Sequence, residues 1–416
     1  MLFLYRIFIN IVIFFSPLII LIRILKGKED PSRFKEKFSF FSKRKKGGKL
    51  IWFHGASVGE ILSIVPLIQK LEKNKDIGQI LVTSNTLSSS KIFISLKLKK
   101  TIHQFYPIDH TYFVNKFLKY WSPSVAIFVD SEIWPTMLTN IKSKSISLVL
   151  LNARINKKSF RKWSRLGLIT KKLFNKFDLC LPSSNESRRH LNLLGAKNIK
   201  YIGNLKFTES EINRAIFDGN LKKYLSSKKI WCASSTHRGE EEIAAKVHIR
   251  LKKKNKDVLT VVIPRHVNRI SEIKKNLEKL NLKIHTHSST NKIDDSTDIY
   301  LVDAYGKTKM FFSICNTVFL GGSLIKHGGQ NPLEAARYGC KILHGPNIWN
   351  FYEIYSLLNK IKVSHKVNNI DQITKKINLV VVNKQNNKNI ISKLNTLSAR
   401  ILKLTIKEIN YFINKK

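Results

Sequence analysis

The sequence predicts an α/β protein of two doubly wound domains behind an apolar N-terminal helix. Three observations carry this. Short, fully apolar runs alternate with amphipathic stretches, the pattern of parallel strands covered by helices on both faces. The runs come in two successive sets, joined around Gly203–Lys222. The chain of 416 residues is also longer than one hydrophobic core usually supports.

The first element is residues 2–25, LFLYRIFINIVIFFSPLIILIRIL, bracketed by Arg6 and Arg23. Its stretch from Ile7 to Ile22 is shorter than the roughly 20 residues that comfortably span a bilayer, and Pro17 can kink it. No small-residue cleavage site follows. Instead come Lys26, Lys28, Arg33, Lys35 and Lys37, which hold the bulk of the chain in the cytoplasm. The segment reads as a retained membrane anchor, spanning or interfacial, with a buried N-terminal helix as the alternative.

Strands are expected at Leu50–Phe53, Ile80–Thr83, Val125–Val129, Ile146–Leu151 and Leu179–Leu181. The second set is Ile230–Ala233, Val258–Ile263, Ile299–Val302, Thr317–Leu320 and Lys341–Leu343. Ile61–Leu71 and Ile243–Leu251 are amphipathic and read as helices between them. The division expected is an anchor over residues 1–28, a first domain over 29–208 and a second over 209–416. The Asn/Lys-rich Val381–Lys388 reads as a solvated loop before a last helix, which is free to pack back on the first domain.

Lys and Arg number 74 against 28 Asp and Glu, a net charge of +46. The lysines are spread over the whole chain among abundant Ile, Asn and Phe, as AT-rich codon usage would produce, so charge alone selects no partner. An anionic membrane surface ranks ahead of nucleic acid, because no zinc-finger, RRM or KH signature is present. A composition of 43% hydrophobic and 25% charged residues excludes a disordered chain. Cys180, Cys232, Cys315 and Cys340 lie far apart with no CxxC or HExxH, which argues against a disulfide framework and a structural zinc.

Ligands of open α/β sheets bind at the carboxyl ends of strands, so the strand-to-helix turns should carry the chemistry. The first is Trp52-Phe-His-Gly-Ala-Ser-Val-Gly-Glu60. Ser57 and Glu60 match a capping box, which explains Glu60 without catalysis. Gly55 and Gly59 flank the same turn and allow a ligand close to the backbone, where a carboxylate can serve as general base. Spacing leaves both readings open. In Val129-Asp-Ser-Glu-Ile-Trp-Pro135, an extended backbone would turn Asp130 and Glu132 to opposite sides, so only one is expected to face a site. Asn152-Ala-Arg154, followed by a basic helix, and Gly203-Asn-Leu-Lys206-Phe are the other two turns.

In the second half, Ser234-Ser-Thr-His-Arg-Gly-Glu-Glu-Glu242 is a hydroxyl-rich turn into an acidic helix start, an expected anion site. Pro264-Arg265-His266 ends a strand with a guanidinium suited to phosphate. Gly321-Gly-Ser-Leu-Ile-Lys-His-Gly-Gly-Gln-Asn-Pro-Leu-Glu334 leads a Gly-rich loop into Asn331 as N-cap, Pro332 at N1 and Glu334 at N3. It is neither a Walker loop nor the dinucleotide G-x-G-x-x-G. The pattern fits a nucleotide-sugar site in the second domain of a two-domain glycosyltransferase; a tight helix entry with no ligand is the plainer alternative.

In this order, FHGASVGE, DSEIWP, NARI, GNLKF, STHRGEEE, PRH and GGSLIKHGGQNPLEA resemble the Kdo (3-deoxy-D-manno-octulosonate) transferases of lipid A assembly. The resemblance covers nearly the whole chain. It implies a GT-B architecture of two Rossmann-like domains facing a cleft, the first binding acceptor and the second CMP-Kdo. It also implies an inverting reaction without metal or other cofactor, and a tetraacylated lipid A precursor as acceptor at the cytoplasmic face of the inner membrane. Carried over by motif, Glu60 becomes the proton acceptor, and Asp130 and Lys206 stabilise the transition state. Pro264, Arg265, Tyr305, Gly306, Lys307, Asn331, Pro332, Leu333 and Glu334 fall on CMP-binding segments.

The chain departs from the family at three places. Asp130 stands where Glu is usual, Tyr305-Gly306-Lys307 replaces Met-Gly-Glu, and Gln330 replaces the His of HGGHNP. Two rival readings remain: another nucleotide-sugar enzyme on the same fold, such as an epimerase, and a basic membrane-associated binding protein without catalysis.

Overall fold

A computed structural model describes residues 2–209, 219–377 and 384–414. The chain divides into two compact units, Met1–Ser210 with Ser398–Lys416, and Glu211–Leu397. Part of the expected junction (210–218) and part of the expected loop before the last helix (381–383) lie outside the described residues.

The first unit holds β1 (Lys49–His54), β2 (Ile77–Ser84), β3 (Thr101–Phe105), β4 (Val125–Val129), β5 (Ser147–Ala153) and β6 (Leu179–Pro182). They form one parallel sheet in the order β3-β2-β1-β4-β5-β6. The second unit holds β7 (Lys229–Thr236), β8 (Val258–Pro264), β9 (Ile284–Thr286), β10 (Ile299–Leu301), β11 (Thr317–Leu320), β12 (Lys341–His344) and β13 (Ser364–Lys366). These are parallel too, in the order β13-β12-β11-β7-β8-β10-β9. Both are open sheets wound in two directions, with helices as crossovers. Central strands are apolar along their length because both faces are covered: every residue of β4 and of β8 is buried. Trp52, Phe117, Trp121 and Phe128 fill one core, and Trp231, Leu251, Leu277 and Phe319 another.

Each strand order has one point at which the winding reverses, between β1 and β4 in the first unit and between β7 and β11 in the second. The crevice outside the carboxyl ends of the strands there is where such folds place ligands. The turn Gly55–Glu60 and Asp130 follow β1 and β4; Ser234–Glu242 and Gly321–Leu324 follow β7 and β11. Both units also carry a bulge near a strand's carboxyl end, at Asn152 in β5 and at Ser235 in β7. Those two residues, and Asp130 just past β4, take left-handed φ values of 52°, 54° and 61°. Such strained conformations in non-glycine residues cluster at functional sites.

The N-terminal helix runs Leu2–Leu25, the segment expected as the first element, and Pro17 lies inside it. Tyr5–Leu25 is long and apolar enough, by length and composition, to cross a membrane, with a mean hydropathy of 2.5. Ile9, Ser16 and Ile20 are buried, and the Tyr5 hydroxyl donates to Asp109 Oδ2 at 2.7 Å. Phe8, Ile11, Phe14, Leu18, Leu21 and Leu25 are exposed, Phe14 by 78%. The last helix, Lys384–Asn414, already includes Lys384–Lys388, where a loop was expected. Its apolar positions from Ile390 onward recur at helical spacing, and Lys and Gln extend a helix readily. Within the first unit its buried Ile401 packs on Gly203, and the Lys49 ammonium donates to the Ile413 carbonyl at 2.9 Å.

Candidate active site

The crevice of the first unit is assembled from three adjacent strands. After β1 the chain turns at Gly55 and enters the helix Val58–Leu71 with Ser57 as N-cap. Glu60 sits at the third position of that helix. Its Oε1 accepts from the Ser57 hydroxyl at 2.8 Å, and its Oε2 accepts from the Ala56 N–H at 2.7 Å. The capping interaction is thus real, but it reaches one residue further back than a standard box, which receives the N-cap N–H. A Cβ on Gly55 would stand 3.2 Å from Glu60 Cβ, so the glycine makes room for this carboxylate. Burial raises the Glu60 pKa above the ordinary glutamate value. The Ser57 bond opposes that, the nearby Glu132 charge adds to it, and Ala56 and His54 oppose it. Capping and proton acceptance are therefore compatible roles of one group.

The turn after β4 does not have the extended geometry expected of it. Asp130 is left-handed at φ 61°, and its N–H and C=O bond Leu151 O and Arg154 N at 3.0 and 3.1 Å. Because the backbone turns here, Asp130 and Glu132 do not diverge: both carboxylates act electrostatically on Glu60 or are acted on by it. The Asp130 pKa is pushed up to about 6, first by burial and then by the Glu60 charge, while Arg154 and Lys206 pull it down. Glu132 neither caps the next helix nor pairs with a lysine. It accepts from Trp134 Nε1 at 2.8 Å, and its Oε2 lies 3.3 Å from Nε2 of the fully buried His54. Burial raises its pKa, but His54 and Trp134 more than offset this, leaving it below the ordinary value.

Asn152, at the bulge of β5, supplies the third side. Its Oδ1 accepts from the Leu205 N–H at 2.9 Å, fastening the segment that carries Lys206 to the sheet end. Asn204 Oδ1 accepts from the Lys206 N–H at 2.9 Å. Glu60, Asp130 and Lys206, found separately in sequence, are thereby gathered around one crevice, with Glu132, Arg154 and Asn152 as members that sequence did not assign.

In the second unit the expected anion site is filled from within. Glu240 opens the helix Glu240–Lys252 and is completely buried. Its carboxylate accepts from the N–H groups of His237, Gly322, Ser323 and Leu324 at 3.0, 2.6, 3.2 and 3.1 Å. One donor of the turn, the His237 N–H, and three of the first Gly-rich segment are thus committed to an internal carboxylate, so an anion expected at Ser234–Glu242 would meet Glu240 there. Gly321 is required because a Cβ there would lie 2.4 Å from Ser235 O. Glu241 pairs with Arg269 at 3.1 Å.

Pro264 is buried at the end of β8; Arg265 follows with an exposed side chain, its N–H donating to Thr236 O at 3.0 Å. His237 gathers the neighbouring loops. Its ring lies 4.0 Å from His327 and 5.8 Å from His266, and its Nε2 is 3.3 Å from Gln330 Nε2. Burial lowers the His237 pKa to about 4, helped by His327, His266, Arg265 and Arg269, so the neutral ring can accept from the Gln330 amide. Asn331 Oδ1 accepts from the Leu333 N–H at 3.1 Å, and Pro332 is already helical. The helix they open, Leu333–Arg337, has only five residues, so its dipole is weaker than the sequence suggested. Tyr305, 71% exposed, Gly306 at φ 77° and Lys307 lie beyond β10, where the Lys307 charge acts on His287.

Residues 32–209 match the family model described as 3-Deoxy-D-manno-octulosonic-acid transferase (kdotransferase). The chain is 37% identical over 333 residues to a 3-deoxy-D-manno-octulosonic acid transferase of Rickettsia bellii (strain RML369-C), covering 79% of each chain. It is 34% identical over 364 residues to a probable mitochondrial 3-deoxy-D-manno-octulosonic acid transferase of Arabidopsis thaliana, covering 84% of this chain and 81% of that one. In fold it is similar to a putative UDP-N-acetylglucosamine 2-epimerase from Listeria monocytogenes, with a TM-score of 0.59 over 89% of this chain and 98% of that chain at 12% identity.

Proposed function

The chain belongs to the Kdo transferase family, and on that premise we propose that it moves Kdo from CMP-Kdo to a tetraacylated lipid A precursor at the cytoplasmic face of the inner membrane. Glu60 is the general base. The acceptor's primary hydroxyl oxygen attacks the anomeric C2 of Kdo, the bond from C2 to the phosphate oxygen breaks, and the hydroxyl proton passes to Glu60. Configuration at C2 inverts, and CMP leaves with the bonding pair.

The observation that carries this is the Glu60 carboxylate, raised in pKa by burial at the point where the strand order reverses and held, among the described residues, by two donors, Ser57 and Ala56. A carboxylate with a raised pKa is a better proton acceptor near neutral pH than an ordinary one. Lys206 and Asp130 serve the oxocarbenium-like transition state, where Lys206 offsets negative charge on the Kdo carboxylate or phosphate. The CMP moiety is assigned to the second unit, through Pro264 and Arg265, Tyr305-Gly306-Lys307 and Asn331-Pro332-Leu333-Glu334. Arg265 and the start of the short helix at Asn331 would take up charge on the leaving phosphate.

The test is transfer by purified protein from preformed CMP-Kdo to tetraacylated lipid A precursor, read by mass spectrometry. A mass gain in whole Kdo units that disappears with Glu60→Ala supports donor, acceptor and base together. No gain from folded protein that still binds CMP overturns the acceptor.

A further inference from the structure

One motif of the sequence stays outside this mechanism. Between Asn152 and Lys176 the chain carries nine Lys and Arg residues and no Asp or Glu. The helix Lys157–Ser164 in this stretch, N-capped by Asn156, begins just past the bulge of β5, at the same carboxyl end of the sheet as Asp130, which follows the neighbouring β4. Lys157, Lys158, Arg161, Lys162 and Arg165 share one helix face, because they recur at spacings of one, three and four residues. They line a single cavity of about 370 Å³ on the first unit. Phe160 and Trp163, on the other face, pack on the core, with the Phe160 ring stacked 4.4 Å from His190.

Cations brought together on a rigid helix repel one another, and this face has no counter-charge among the described residues. All five side chains are exposed, and none has an ion pair or side-chain hydrogen bond. A solvated charge run has no need of a shared concavity. The aromatic anchors fix this one in place, so it is arranged for a ligand with several negative charges held close together. The turn that follows ends in Leu168, 74% exposed, which sets an apolar contact next to the basic face and favours an amphiphile over a free anion.

Resting on the transferase reading, we infer that the cavity lined by Lys157, Lys158, Arg161, Lys162 and Arg165 binds a phosphate group of the acceptor lipid's headgroup. It thereby positions the acceptor hydroxyl at the adjacent Glu60–Asp130 crevice. Phosphate takes bidentate contacts from Arg and point-charge contacts from Lys, and this face offers both.

The test uses the full chain with Lys158→Gln, Arg161→Gln and Lys162→Gln combined; all three side chains are exposed, so the fold is expected to persist, as a thermal midpoint will show. Calorimetric titration without donor uses a deacylated glucosamine disaccharide bisphosphate, with the unphosphorylated disaccharide as control. The bisphosphate should bind the unaltered chain and lose about tenfold or more in affinity in the variant, and Arg161→Lys with the other two positions restored should recover most of it. In the transfer assay the loss should fall on KM for the acceptor rather than on kcat. Equal bisphosphate binding by both chains overturns the inference. So does a variant that keeps the bisphosphate but no longer sediments with phosphatidylglycerol vesicles, since the face then reads the bilayer. If the unaltered chain transfers no Kdo, the transferase reading falls, while the titration still decides the phosphate site.

Discussion

Two carboxylates at the first crevice make opposite predictions when neutralised. Glu60→Gln keeps a polar group for Ser57 but removes the base, so kcat should fall by about 10²–10⁴-fold. The lost cap costs about 1 kcal/mol, and relief of the buried charge at pH 7 offsets part of it. Asp130 is different, because its folded pKa of about 6 lies above the value of 3.8 in the unfolded chain. The folded state therefore holds more protons in that window, and stability falls as pH rises from about 4 to about 6. Asp130→Asn should remove that penalty, raising the thermal midpoint at pH 7 but not at pH 4, while lowering kcat. Asn tolerates the left-handed backbone as well as Asp does, so strain should not mask the effect. A midpoint unchanged at pH 7 would count against the buried-charge account. Glu60 must be ionised to accept the proton, so the acid limb of kcat/KM should lie above the ordinary glutamate value of 4.5, whereas a limb at 4.5 would fit an exposed glutamate instead. Glu60, Asp130 and Lys206 were legible in sequence because motifs mark them. Glu132 was not, since its placement depends on the positive φ of Asp130, which spacing cannot reveal. Glu240 was visible only as one of three acids at a helix start, where a favourable dipole interaction already explained it.

Elements were legible where they carry a continuous apolar run. Every apolar run read as a strand is one, from β1 and β2 through β12. The missed strands β3, β9 and β13 are all sheet edges. β9 and β13 are three residues long and part-exposed, whereas β3 is buried at four of its five positions but carries Thr101, His103 and Gln104, so TIHQF shows no apolar run to read. The joints between elements were least legible, because single side chains make them. Asn152 is one. Asn152→Ala should strand the buried Leu205 N–H at about 1–3 kcal/mol and add about 1 kcal/mol for the left-handed backbone. Asn152→Gly removes the same bond without the strain, so it should unfold later than the alanine variant while losing comparable activity through a displaced Lys206. Equal activity in Asn152→Gly and the unaltered chain would sever the link from this joint to Lys206. Glu240 is the corresponding joint of the second unit. Glu240→Ala would leave three buried N–H groups and one partly buried one without their acceptor, and a loss above about 3 kcal/mol is expected in denaturant titration.

At the scale of the whole molecule, the membrane reading proposed above rests on two features that would respond differently to salt. The net charge of +46 attracts an anionic surface over a range set by the Debye length, about 10 Å at 0.1 M and 3 Å at 1 M ionic strength. The helix Leu2–Leu25 acts through apolar area, which salt does not screen: Phe8, Ile11, Phe14, Leu18 and Leu21 remain exposed while Ile9 and Ile20 hold it to the first unit. Its tie at Tyr5 is to Asp109, whose carboxylate accepts the Thr136 and Met137 N–H groups and so caps the helix that follows the Asp130 turn. That cap does not itself need the N-terminal helix, so a chain lacking residues 2–25 is expected to fold with a modestly lowered thermal midpoint. In sedimentation with phosphatidylglycerol vesicles, the full chain should stay bound at 1 M salt. The shortened chain should bind at low salt and dissociate as ionic strength rises. Equal salt sensitivity of the two would mean that the exposed apolar face contributes nothing to binding, and that charge alone brings this protein to the lipid.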